Sequence, residues 1–187
     1  DTANTNALNA LENIDNLKIG VRNLIKNSNF FDGYNKWAGT GVTMNVEEDD
    51  EFEHCLVFSA TSAGSSSYRV YASIETNFTH VKGTEYTLSF YAKASKAATL
   101  QSNVADANNQ QNYTVTTEWQ RFSYTYTASA TGSLTFWSVS ANITMYITNI
   151  MLEESNKASD WVPAPEDIND NIDSNISDVQ AVIVEQS

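Results

Sequence analysis

Apolar and polar residues alternate in steps of two through the middle of the chain, and in steps of four and three at both ends. The alternation is sharpest in EYTLSFYAKA, residues 85–94. There Tyr86, Leu88, Phe90 and Ala92 fall on one face of a strand, and Thr87, Ser89, Tyr91 and Lys93 on the other. Comparable runs between residues 23 and 152 are NLIKNSNF, VTMNVE, CLVFSA, YRVYASI, TLQSNV, WQRFSYTYTA, SLTFWSVS and ITMYITNIML. Clusters of turn-forming residues, DGYN, TSAGSSS, DANNQQN and SATGS, separate several of them. About nine short strands without intervening helices predict an all-β sandwich.

The helical period marks the two ends. Ala7, Leu11, Ile14, Lys18 and Val21 predict a helix over residues 1–20 that stops near Gly20. Ile172, Ile176, Val179 and Ile183 have the four–three–four spacing of a coiled-coil seam. The residues between them are mostly Asn, Asp and Ser, which are poor helix formers alone. Such a segment needs a partner, either the N-terminal helix or copies of itself. The stretch MLEESNKASDWVPAPED (151–167) joins sandwich to helix. The last strand is expected to end near Leu152 and Trp161 to return and plug the open end of the sandwich. Pro163 and Pro165 stop strand or helix from running across them, and PED opens the helix with acids at its N-terminal dipole. The chain therefore divides into a helical linker (1–20), a β-sandwich (21–167) and a second helical linker (168–187).

Charge narrows the range of partners. With 23 acidic and 10 basic residues the formal net charge is −13, which argues against nucleic acid and anionic membranes as partners. No apolar run is long enough to span a membrane. The sequence begins without Met or a signal peptide, so Asp1 is expected to lie within a longer polypeptide. The acidic run EEDDEFE (47–53) reads as a solvated loop. Cys55 is the only cysteine, which excludes an internal disulfide and a Cys-based zinc site. His54 and His80 are the only histidines and are not at ligand spacing.

VRNLIKNSNF (21–30), Trp37 after a short turn, EWQRFSYTYTA (118–128) and MLEESNKASDWVPAPED, in that order, resemble the accessory carbohydrate-binding modules of baseplate and tail-tip proteins of tailed phages that infect Gram-positive bacteria. The resemblance covers roughly residues 21–167. It implies a jelly-roll sandwich of the galactose-binding-like, carbohydrate-binding-module type, carried on a virion tail protein and attaching to host cell-wall saccharides. The expected partners are cell-wall or surface polysaccharide and other tail or baseplate proteins, in a homo-oligomeric parent. Related sugar-binding jelly rolls hold a structural calcium through an acid after the first-strand Phe and an Asp in the last strand. Here those positions read Phe31 or Asp32 and Asn149. No cofactor is expected, with Asp32 and backbone carbonyls the remaining option for calcium. Glu153 and Glu154 read as solvated charges at a strand end.

By analogy with that fold, strands 54–60, 132–139, 84–93 and 98–104 are expected to share one sheet. Its outer face would carry Ser89, Tyr91, Lys93, Gln101, Asn103, Thr135 and Trp137. A pyranose packs its C–H face on an aromatic ring, and its hydroxyls need donors and acceptors, which Gln and Asn supply together. Arg69, Tyr71 and Ser73 form a second outward row, expected on the opposite sheet. The amide-rich stretch DANNQQNY (106–113) reads as a loop able to close over a ligand. The proposed face has no Asp or Glu on its central strands, whereas glycoside hydrolysis uses two facing carboxylates. The sequence thus points to a non-catalytic binding module, with a ligand-free decoration or spacer domain as the alternative.

Overall fold

The computed structural model describes residues 5, 20, 22–73, 75, 77–104 and 106–185. The expected N-terminal helix lies, apart from Thr5 and Gly20, outside the described residues. Ten strands follow: β1 (Trp37–Thr40), β2 (Thr43–Asp49), β3 (Glu53–Ser59), β4 (Arg69–Ala72), β5 (Glu85–Ala94), β6 (Ala98–Val104), β7 (Asp106–Val115), β8 (Gln120–Thr127), β9 (Leu134–Ser138) and β10 (Thr144–Glu153). A single helix, α1 (Pro165–Glu185), is described after them. The strands form two antiparallel five-stranded sheets. Sheet I has the order β1-β4-β9-β6-β7 and sheet II the order β2-β3-β10-β5-β8. The molecule is the expected all-β sandwich.

The alternating positions of β5 meet those of sheet I to make the core. Phe90 of β5 lies 4.9 Å from Tyr113 of β7 and 5.0 Å from Phe136 of β9, edge to face in both cases. Leu88, Leu100, Leu134 and Ile147 are fully buried around them. At one end His80 is also fully buried. Its Nδ1–H donates to the Gly132 carbonyl (2.9 Å), so Nε2 is the acceptor for the Tyr126 hydroxyl (2.7 Å). Burial pushes this imidazole down to a pKa of about 4, only partly opposed by the Gly132 hydrogen bond.

The grouping of strands differs from expectation. Strands 54–60 and 84–93 correspond to β3 and β5 in sheet II, whereas 132–139 and 98–104 correspond to β9 and β6 in sheet I. YRVYASI, expected on the sheet opposite Trp137, forms β4 and pairs directly with β9, with Tyr71 opposite Thr135. Period-two alternation assigns two faces to a strand but not its neighbours.

Local departures have local causes. NLIKNSNF is a turn, because Asn27 and Phe30 adopt positive φ (47° and 60°). Asn23 instead ties this segment to the rest. Its Nδ2 donates to the carbonyls of Ile150 (2.8 Å) and Val162 (3.0 Å), and its Oδ1 accepts from the amides of Ile25 and Leu152. DANNQQNY is no loop but part of edge strand β7, paired with β6 from Ala98↔Val115 to Asn103↔Gln110. The acidic run is no loop either. It closes the β2–β3 hairpin, paired from Thr43↔Ser59 to Asp49↔Glu53.

Glu153 is fully buried rather than solvated: the Ser159 amide (2.8 Å) and hydroxyl (3.1 Å) satisfy its carboxylate. Trp161 is half-buried, with Nε1 donating to Ser28 Oγ at 3.0 Å, so it closes the sandwich end only in part. Helix α1 is fastened at its first two turns, where Asp167 accepts from the Asn27 amide (2.7 Å) and Lys36 reaches Asp170 (2.8 Å).

Candidate functional site

The register of sheet I places the polar side chains of four strands in two rows on its outer face. Arg69, Trp137, Gln101 and Asn112 lie at one level, and Tyr71, Thr135, Asn103 and Gln110 at the next. The loop after β3 closes one side through Gly64, Ser65 and Ser66, leaving a groove of about 380 Å³. Arg69, Trp137, Gln101, Asn103 and Gln110 line it.

Each lining side chain offers something different. Gln101 Nε2 donates to Asn112 Oδ1 at 2.6 Å, so one amide is already committed. Asn103 and Gln110 are opposite each other on β6 and β7, and their side-chain amides make no hydrogen bond among the described residues. Each therefore offers both a donor and an acceptor. The Arg69 guanidinium carbon sits 4.9 Å from the centre of the Tyr71 ring, and its Nε is shielded from solvent without an acceptor. Trp137 is only 7% exposed. Gly64 packs on its indole so closely that a Cβ there would fall 2.2 Å from Cδ1, and the Gly64 amide donates to the Ser138 carbonyl at 2.8 Å. Trp137 is a wall of the groove rather than an open stacking platform.

Ser89, Tyr91 and Lys93 are on the outer face of sheet II, apart from Arg69, Tyr71, Gln101, Asn103 and Trp137 on sheet I. Their partners there come from the protein. Lys93 Nζ meets Asp49 Oδ2 at 2.7 Å and lies 4.5 Å from the Trp119 ring centre. The Trp119 indole N–H also donates to Asp49 (3.1 Å), and Phe52 packs on Tyr91 at 4.6 Å. Burial alone would raise the Asp49 carboxyl. Hydrogen bonds from Lys93, the Glu51 amide and Trp119 outweigh it and hold the group below the usual carboxylate range. Burial likewise opposes the charge on Lys93, and the bond to Asp49 outweighs it and raises its pKa. Ser89 is buried beside Arg121, whose guanidinium donates to the Ser159 carbonyl.

Sequence reasoning missed Gln110 as a strand residue of the groove and Asn112 beside it on the same face, together with Gly64, Ser65 and Ser66. The amides were visible in DANNQQNY, but nothing in that stretch announced pairing with β6. The remaining calcium option does not fit. Asp32 accepts from Asn35 Nδ2 at 2.6 Å, and the Asn27 side-chain amide donates to the carbonyls of Gly33 (3.0 Å) and Asn35 (2.8 Å). Those carbonyls are already engaged by a protein amide, and Asn149 stands at a bulge in β10 with φ 46°. Among the described residues, no three His, Cys, Asp or Glu converge as a metal site.

A two-sheet jelly roll with an amide-lined groove on one outer face is the build of a ligand-binding sandwich. The family comparison gives that build a name. The model described as a carbohydrate binding domain matches residues 22–142, and the chain belongs to that family. No curated protein sequence matches the chain. Among solved structures, one titled "CBM4 structure and function" superposes with TM-score 0.53 at 21% identity, covering 68% of this chain and 99% of that one. "BiXyn10A CBM1 APO" gives TM-score 0.52 at 16% identity, covering 71% and 98%. The N-terminal CBM22-1-CBM22-2 tandem domain of Paenibacillus barcinonensis Xyn10C gives 0.54 at 20% identity, covering 78% and 49%. At these identities the likeness is one of fold.

Proposed function

We propose that this chain is a non-catalytic carbohydrate-binding module that holds a saccharide in the sheet I groove. The observation carrying this reading is the pair of uncommitted amides, Asn103 and Gln110, beside Arg69 on one polar face. Among the described residues no Asp or Glu lines the groove, so no paired carboxylates of the kind used in glycoside hydrolysis are described there. The module serves a phage tail or baseplate protein and attaches it to host cell-wall polysaccharide. That context rests on the ordered sequence resemblance over residues 21–167. A shallow groove that desolvates hydroxyls as it binds them gives a single-site Kd of order 0.01–1 mM.

Linked copies would raise avidity by about 10²–10⁴ on a repeating polymer. The apolar stripe of α1 favours such a multimeric parent, since Ile168, Ile172 and Ile176 are each about half exposed. The same stripe is the observation that favours the second reading, a spacer domain that only joins tail subunits. Binding of the chain to purified cell-wall polysaccharide, with reducing ends assayed in parallel, separates the readings. Binding without release of reducing ends is expected. Release would make the module an enzyme, and absence of binding to any wall preparation would favour the spacer.

A further inference from the structure

Arg69 differs from the cations whose partners the fold supplies. Arg22 pairs with Glu166, Lys36 with Asp167 and Asp170, Lys93 with Asp49, and Arg121 with Asp160. The Arg69 side chain makes no ion pair and no hydrogen bond among the described residues, although the chain carries 23 acids. A half-buried guanidinium with a shielded, unpaired N–H is costly to keep, and a carboxylate placed beside it would remove that cost. Among the described residues, those lining the groove with it are instead neutral: Ser65, Ser66, Gln101, Asn103 and Gln110. The guanidinium carbon lies over the Tyr71 ring, 4.9 Å from its centre. A guanidinium over a ring keeps N–H donors free at its edge, in the fork geometry that suits two oxygens of one anionic group.

We infer that the groove takes an acidic saccharide, one bearing a carboxylate or a phosphodiester, with Arg69 binding the anionic oxygens and Asn103 and Gln110 the sugar hydroxyls. This rests on the groove being the saccharide site. The net charge of −13 opposes a polyanion at long range, but that field is screened beyond roughly 8 Å at physiological salt. Contact with Arg69 acts within that distance. The ligand is accordingly a polymer with spaced acidic groups rather than a dense polyanion such as nucleic acid.

The test uses the full chain at physiological salt, in affinity electrophoresis against a panel of cell-wall polysaccharides. Each polymer is run untreated, carboxyl-reduced to remove uronates, and treated with hydrofluoric acid to remove phosphodiesters. At least a tenfold loss of binding (about 1.4 kcal/mol) is expected on one of the two treatments, and the treatment responsible identifies the anion. Arg69→Gln should lose the preference for the untreated polymer, and Arg69→Lys should retain part of it. Unchanged thermal unfolding of both variants checks that they remain folded. Equal binding of treated and untreated polymers overturns the inference, as does a preference that survives Arg69→Gln. If neutral polymers bind through Asn103 and Gln110 without such a preference, the groove stands as a saccharide site and only the acidic ligand falls. If no polymer in any form binds, both fall.

Discussion

The two outer faces of the sandwich each carry a cation beside aromatic rings, and only one of the cations is matched. On sheet II, Lys93 has Asp49 at 2.7 Å, the Trp119 ring beside it and Phe52 packed on neighbouring Tyr91. On sheet I, Arg69 has the Tyr71 ring but, among the described residues, no carboxylate, and Asn103 and Gln110 beside it are uncommitted. Similar residue types therefore do different work. A cluster whose charges and hydrogen bonds close on themselves contributes to stability and has little left for a ligand. A face whose donors and acceptors are held open by the backbone contributes little to stability and can exchange water for sugar hydroxyls.

The largest expected effect treats both faces alike. His80 sits in the buried end of the sandwich, with a folded pKa of about 4 against an ordinary 6.5. In that interval the unfolded chain binds a proton that the folded chain does not. Stability is fully present above pH 6.5 and falls as pH drops toward 4, by about 3 kcal/mol in all. Urea unfolding at pH 7 and pH 4 measures it, and His80→Gln should flatten that part of the profile. A wild-type profile already flat between these values would show that the imidazole is not buried neutral.

A smaller effect separates the faces. Asp49→Ala leaves Lys93 part-buried and unpaired, and should destabilise the fold by about 2 kcal/mol, less than for a fully buried pair. Saccharide binding should be unchanged. A loss of binding in the folded variant would move the site to sheet II. The smallest effect on folding comes from the opposite change. The double variant Asn103→Ala, Gln110→Ala should stay within about 0.5 kcal/mol of wild type in stability, as exposed positions do. It should weaken binding about tenfold, or about 1.4 kcal/mol. A large stability change with unaltered binding would reverse the assignment of the two faces.

The sequence showed the core of β5 plainly, because Tyr86, Leu88, Phe90 and Ala92 are all buried where alternation put them. It did not show which strands are neighbours. Ser89, Tyr91 and Lys93 point outward from their strand as expected, but from the other sheet, since sheet membership depends on pairing across long connections. β7 was hidden because Asn and Gln have low strand propensity, and seven pairings with β6 override it. The burial of Trp137 depends on Gly64, a residue far away in sequence whose missing side chain lets the loop lie on the indole. Arg69 and Tyr71 were recognised as outward-facing. That the guanidinium would lack a carboxylate partner among the described residues became visible only once the neighbouring strands were in place.

The central claim is that sheet I, not sheet II, is the binding face. NMR titration of the ¹⁵N-labelled chain with an oligosaccharide cut from a bound polymer tests it most directly, because Trp137 and Trp119 give separate indole signals on the two faces. The predicted result is that the side-chain amides of Asn103 and Gln110, the Arg69 signals and the Trp137 indole shift together, while the Trp119 indole and the Tyr91 and Lys93 amides stay in place. Shifts centred on Trp119, Tyr91 and Lys93, with the sheet I amides unmoved, would contradict it.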